Sequence, residues 1–155
     1  MKSLLDDDQE EEQRTTPQGL FTFAESYWQA ANHLQDADLK TPHPSLPVNF
    51  LYYHAIELYL KAFLRLHGHT LKELRNLSHS TRDLQTRSQQ LGLLFDEATT
   101  ETFSLMAANP AILFRYVRTG GYRWPTHDSL NRTCENLRQS IGDELRKSGV
   151  YVRLF

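Results

Sequence analysis

The segment from Val48 to His67 constrains the fold more than any other stretch of this sequence. On a helical wheel at about 100° per residue, its apolar positions cover roughly 240°. They are Leu51, Tyr52, Ala55, Ile56, Leu58, Tyr59, Leu60, Ala62, Phe63, Leu64 and Leu66. A helix apolar over so wide an arc must be enclosed on most sides. A chain of 155 residues has room for one domain around such a helix. Pro47 suits its first turn, where a missing N–H leaves no hydrogen bond unmade, and Gly68 supplies a stop.

The remaining segments are arranged as neighbours for that helix. Phe21 to Leu39 carries Phe21, Ala24, Tyr27, Trp28, Ala31 and Leu34 at helical spacing. Pro42, Pro44 and Pro47 then exclude a continuous helix. His69 to Leu77 holds a short amphipathic turn or helix. Ser78 or Ser80 can cap another that runs to about Leu91, and Asp96 to Ala108 reads as a further one ended by Asn109-Pro110. Ala111 to Val117 is apolar and fits either a strand or a helix. Thr126 is a good N-cap for a last helix that reaches Ser148, with Leu130, Cys134, Leu137, Ile141 and Leu145 on one face. No segment alternates as a strand does. The expected fold class is an all-α, up-and-down bundle of four to five helices with short extra ones.

Charge separates the N-terminus from the rest. Within the first thirteen residues Lys2 faces Asp6, Asp7, Asp8, Glu10, Glu11 and Glu12, which leaves −5. With −2 for the whole chain, the remaining residues carry +3. Residues 1–17 therefore read as a disordered acidic tail, or as an arm that shields a basic surface, and residues 18–155 as the single helical domain. The overall balance disfavours a strongly basic nucleic-acid binder but allows a local basic patch. Cys134 is the single cysteine, so an internal disulfide and a multi-cysteine zinc site are excluded; on the apolar face of the last helix it reads as an inert core residue. No apolar run approaches a membrane span and no apolar signal core is present, so a cytoplasmic protein with no membrane contact is expected.

Two groups of residues are candidates for function. On the central helix His54, Glu57, Lys61 and Arg65 fall within about 80° of one another and form a polar stripe. The stripe is either the solvated edge of a core helix or a face for a partner or ligand. Farther on, Arg115, Tyr116, Arg118, Tyr122, Arg123 and Trp124 crowd around Gly120-Gly121, with His127 at the following helix start. Guanidiniums grip phosphates and aromatic rings stack on bases, so the segment is suited to a nucleotide or single-stranded RNA. The competing reading packs the aromatics on the core and leaves the arginines at the surface. The seven histidines show neither a His-x3-His nor a His-Glu-x-x-His pair, and neither a metal nor a cofactor is expected.

His54-Ala55-Ile56-Glu57-Leu58-Tyr59-Leu60-Lys61-Ala62 resembles the signature helix of HEPN domains, small α-helical domains of prokaryotic toxin–antitoxin, defence and nucleotide-related proteins. Gly68 stands where that family has a Gly-containing turn. Arg82-Asp83-Leu84 stands in place of a His-Asp-Leu element, with His79 three positions earlier, and Arg115-Tyr116 matches an Arg-Tyr pair before the last long helix. The resemblance spans Phe21 to Ser148 and implies a bundle that is commonly a homodimer. Many of these proteins are metal-independent ribonucleases with an Arg-x(4–6)-His motif. Here Arg65 to His69, Arg75 to His79 and Arg123 to His127 have three intervening residues, and Arg118 to His127 has eight. The resemblance is thus to a non-catalytic branch. The expected function is binding of nucleotide or RNA phosphates in a toxin–antitoxin or defence system. The alternatives are a divergent ribonuclease using Arg118 or Arg123 with His127, and an adaptor that holds a cognate protein partner.

Overall fold

The computed structural model describes residues 4–77, 80–114, 116 and 123–154. Among them all regular structure is helical. In chain order the elements are α1 (Leu4–Arg14), α2 (Pro17–Gln35), α3 (Ser45–Leu66), α4 (Leu71–Leu77), α5 (Thr81–Gln90), α6 (Glu97–Ala108), a 3-10 turn (Ala111–Phe114) and α7 (His127–Lys147). This is an all-α bundle with α3 at its centre. α2 and α7 pack along α3, α4 and α5 meet its C-terminal half, and α6 closes against α5 and α7.

The central helix buries twelve residues, among them Tyr52, Ile56, Tyr59, Leu60, Phe63 and Leu64. Full burial of each large apolar side chain contributes about 1.5–3 kcal/mol relative to exposure, so this helix organises the core. Its partners supply Phe21, Ala24 and Ala31 from α2, and Leu130, Leu137, Ile141 and Leu145 from α7. Gly142 lies where α7 meets α2. A Cβ built there would stand 3.4 Å from the Phe21 ring. After α7 the chain turns back, the Gln18 side-chain amide donates to the Tyr151 carbonyl, and Val152 is buried.

Most helix starts follow their side-chain caps. Thr16, Ser80, Asp96 and Thr126 accept from the amides of Gly19, Asp83, Thr99 and Ser129 respectively. Ahead of α4, Thr70 and Glu73 cap each other reciprocally, through Glu73 N to Thr70 Oγ1 and Thr70 N to Glu73 Oε2. Gly68, at φ +90°, ends α3 in the left-handed conformation. The turn is closed by His69 N donating to Leu64 O and Gly68 N donating to Arg65 O.

The structure differs from the expected element bounds at three places. Residues 4–14 are helical, α2 begins at Pro17 after the Thr16 cap, and residues 1–3 of the acidic segment lie outside the described residues. The physical reason is capture: Glu11 and Glu12 find cations on the body, Arg75 and Arg65. The first core helix ends at Gln35 rather than Leu39, with Asp36 as its C-cap. The ambiguous apolar run from Ala111 forms a 3-10 turn as far as Phe114. No helix among the described residues is long and apolar enough to cross a membrane.

Candidate functional site

The segment rich in arginine and aromatics is held by a stem. At the end of α6 the Asn109 side-chain amide donates to the Leu105 carbonyl and, at 2.7 Å, to the Arg123 carbonyl. Phe114 and Trp124 stack with centroids 5.1 Å apart and planes 25° apart. Both rest on Tyr53 of α3, at 5.0 and 6.4 Å. Residues 114 and 124 are therefore neighbours in space. Tyr116 is 64% exposed and Arg123 is exposed. Trp124 is half-buried in the stem, against Phe114 and Tyr53. Arg115, Arg118 and Tyr122 lie outside the described residues, as does His79. His127 is half-buried at the first position of α7, its ring 6.1 Å from that of Tyr52. Among the described residues no hydrogen bond joins it to Arg123.

Among the described residues, the Asn49 side-chain oxygen and the Tyr53 hydroxyl, one helical turn apart on α3, are buried without a hydrogen-bond partner. An unmatched buried polar atom costs about 1–3 kcal/mol, which is set against the packing of these side chains in the core.

The polar stripe of α3 is divided among three jobs. His54 sits edge-on to Tyr27 at 4.4 Å and parallel to Phe50 at 6.1 Å. Burial pulls its pKa down, Lys61 adds to this, and Glu57 opposes it. Glu57 and Lys61 pair with each other at 2.5 Å. Arg65 donates to the Thr15 carbonyl, to the side chain and carbonyl of Glu12, and to the His69 carbonyl. The stripe is thus half-buried along its length, and its C-terminal end is already occupied by α1.

The sequence reading missed a buried polar node. Glu25 of α2 accepts from Arg138 Nε at 2.8 and 2.9 Å and from the Tyr59 hydroxyl at 2.5 Å. The Arg138 guanidinium lies 4.9 Å from the Trp28 ring, and Trp28 Nε1 donates to Asn131 Oδ1. Burial, and then the hydrogen bond to Glu25, raise the Tyr59 pKa. The available signal was a carboxylate on an apolar face, Glu25 beside Phe21, Ala24 and Trp28. Its partner is 113 residues away, beyond any local pattern.

Cys134 is fully buried and burial pushes its thiol well up, so it is an inert core residue. Among the described residues, no three metal-binding side chains cluster. Compared with protein families, curated proteins and solved structures, the chain matches none.

Proposed function

We propose that this chain is a non-catalytic, HEPN-like helical module that holds nucleotide or RNA phosphates on the segment 115–127. The stem carries this reading. Phe114, Trp124 and Asn109 pin both ends of a stretch whose sequence interleaves Arg115, Arg118 and Arg123 with Tyr116 and Tyr122. Asn109, Phe114 and Trp124 fix the described ends of that stretch, and its composition of cations and rings suits phosphates and bases. The HEPN assignment rests on residues 54–62 and on the weaker elements around them. A toxin–antitoxin or defence setting in the cytoplasm belongs to the same proposal.

The test is end-labelled single-stranded RNA mixed with the full chain at low salt, run on native and denaturing gels. The expected result is retained, intact RNA whose binding weakens with salt. Arg123→Ala should weaken it further and reduce the salt slope by about one. Shortened RNA that disappears with His127→Ala would replace this reading with a divergent ribonuclease using Arg118 or Arg123. Neither retention nor cleavage would leave an adaptor.

One observation favours a protein partner. Phe50, Ile112 and Tyr116 are 40%, 57% and 64% exposed, and Phe50 lies against His54 and Phe114. This apolar surface beside the α3 stripe suits a second copy of the chain or a cognate protein. A homodimer seated there predicts that Phe50→Glu sediments as a monomer where the wild type is a dimer. A monomeric wild type removes the homodimer.

A further inference from the structure

α1 has no buried residue, and Leu4 and Leu5 stand 85% and 74% exposed. The place where it docks, by contrast, is firmly built. The Arg65 side chain, 17% exposed, is steadied by the His69 carbonyl that the Gly68 turn brings back to it at 2.8 Å. One Glu12 carboxylate oxygen lies 2.5 Å from Arg65 Nη1, and the other accepts the Leu71 amide at 3.0 Å. Arg65 Nη2 takes the Glu12 carbonyl at 2.7 Å, and Nε takes the Thr15 carbonyl at 2.9 Å. Glu11 reaches Arg75 at 2.8 Å, with both groups more than half exposed. The carboxylate of Glu12 is therefore held between one nitrogen of the Arg65 guanidinium fork and the Leu71 amide, in an oxyanion site whose occupant is carried on the chain itself.

We infer that α1 is a detachable acidic strap, and that the site of Arg65 and the Leu71 amide binds a phosphate group once Glu12 leaves it. No residue of α1 is buried, the Glu11–Arg75 pair is exposed and screened by salt, and the half-buried Glu12–Arg65 pair is the strap's main hold. A phosphate offers acceptor oxygens to the fork and the amide together, with more charge than a carboxylate. The exposed Lys72 and Arg75 of α4 add positive charge beside it. The site lies at the α3–α4 corner, at the opposite end of α3 from the stem on Tyr53, and does not depend on the loop reading.

The experiment is an NMR titration of the full chain with inorganic pyrophosphate, together with amide exchange over residues 4–14. Glu12→Gln should speed exchange in α1 and tighten pyrophosphate binding about three- to fivefold, the equivalent of losing one weak competing ion pair. The largest shifts should fall on the Leu71 amide and Arg65 Nε, and Arg65→Gln in the Glu12→Gln background should abolish them while the helical circular dichroism is retained. Three results overturn the inference: α1 exchange unchanged in Glu12→Gln, α1 released with no gain in affinity, or shifts confined to Arg123 and its neighbours. If RNA retention fails while the Leu71 response persists, the loop reading falls and this one stands.

Discussion

Two carboxylate–guanidinium pairs flank α3, and their surroundings make them different objects. Glu25 and Arg138 lie between the three longest helices, with the Glu25 side chain 5% exposed. Both Glu25 oxygens are taken by Arg138, one also by Tyr59, and the guanidinium rests on Trp28. Glu12 and Arg65 make contacts of similar length, yet they join α3 to a helix that buries nothing. The same chemistry is a fixed joint where apolar burial already holds the helices together. It is a latch where the ion pair itself does the holding.

The largest test of that contrast removes Glu25. Glu25→Ala takes a carboxylate away from the mostly enclosed Arg138 and removes the acceptor of the Tyr59 hydroxyl. The expected loss is about 3 kcal/mol, the low end for a broken buried pair because Arg138 keeps some contact with solvent. In thermal unfolding this is a fall of roughly 6–12 °C in Tm for a chain of this size. Replacing both partners, as Glu25→Leu with Arg138→Leu, should recover much of the loss, since an apolar pair carries no desolvation penalty. A single-variant loss below about 1 kcal/mol would show that the node is not a joint, and the contrast would collapse.

Glu12→Gln is the matched, smaller perturbation. It should lower stability by less than about 1 kcal/mol, because the pair is partly solvated and α1 contributes no core. A Tm drop as large as that of Glu25→Ala would mean that α1 is integral to the fold and cannot act as a latch.

The contrast also explains what was legible in the sequence. The apolar arc of α3, a serine cap at 78 or 80, the cap at Thr126 and the stop at Gly68 are local signals, and the helices follow them closely. Glu25 breaks its helix's apolar pattern visibly, but only tertiary contact brings it to Arg138. A run of carboxylates in α1 reads locally as a solvated arm, and its order depends on Arg65, some fifty positions along. The loop candidate was legible as composition alone. Which of its rings would become the stem was not, because Phe114 and Trp124 meet only through the Tyr53 surface.

The smallest expected effect concerns His54, which burial between Tyr27 and Phe50 holds below its ordinary pKa of 6.5. The unfolded chain keeps the ordinary value, so below pH 6.5 it binds more protons at this position than the folded chain does. His54 therefore adds no pH dependence well above 6.5, and it lowers stability as the pH falls through 6.5 towards the folded pKa. Glu57 and Lys61 face the same ring with opposing effects, and burial, the largest cause, sets the direction of the shift. Thermal unfolding of wild type and His54→Phe from about pH 5 to about pH 8 separates this contribution from the other histidines. The variant, which keeps an aromatic ring between Tyr27 and Phe50, should show a shallower decline on the acid side. An unchanged slope would mean that the ring exchanges protons as freely in the fold as outside it, and that the aromatic contacts at the N-terminal half of the stripe leave it open to solvent.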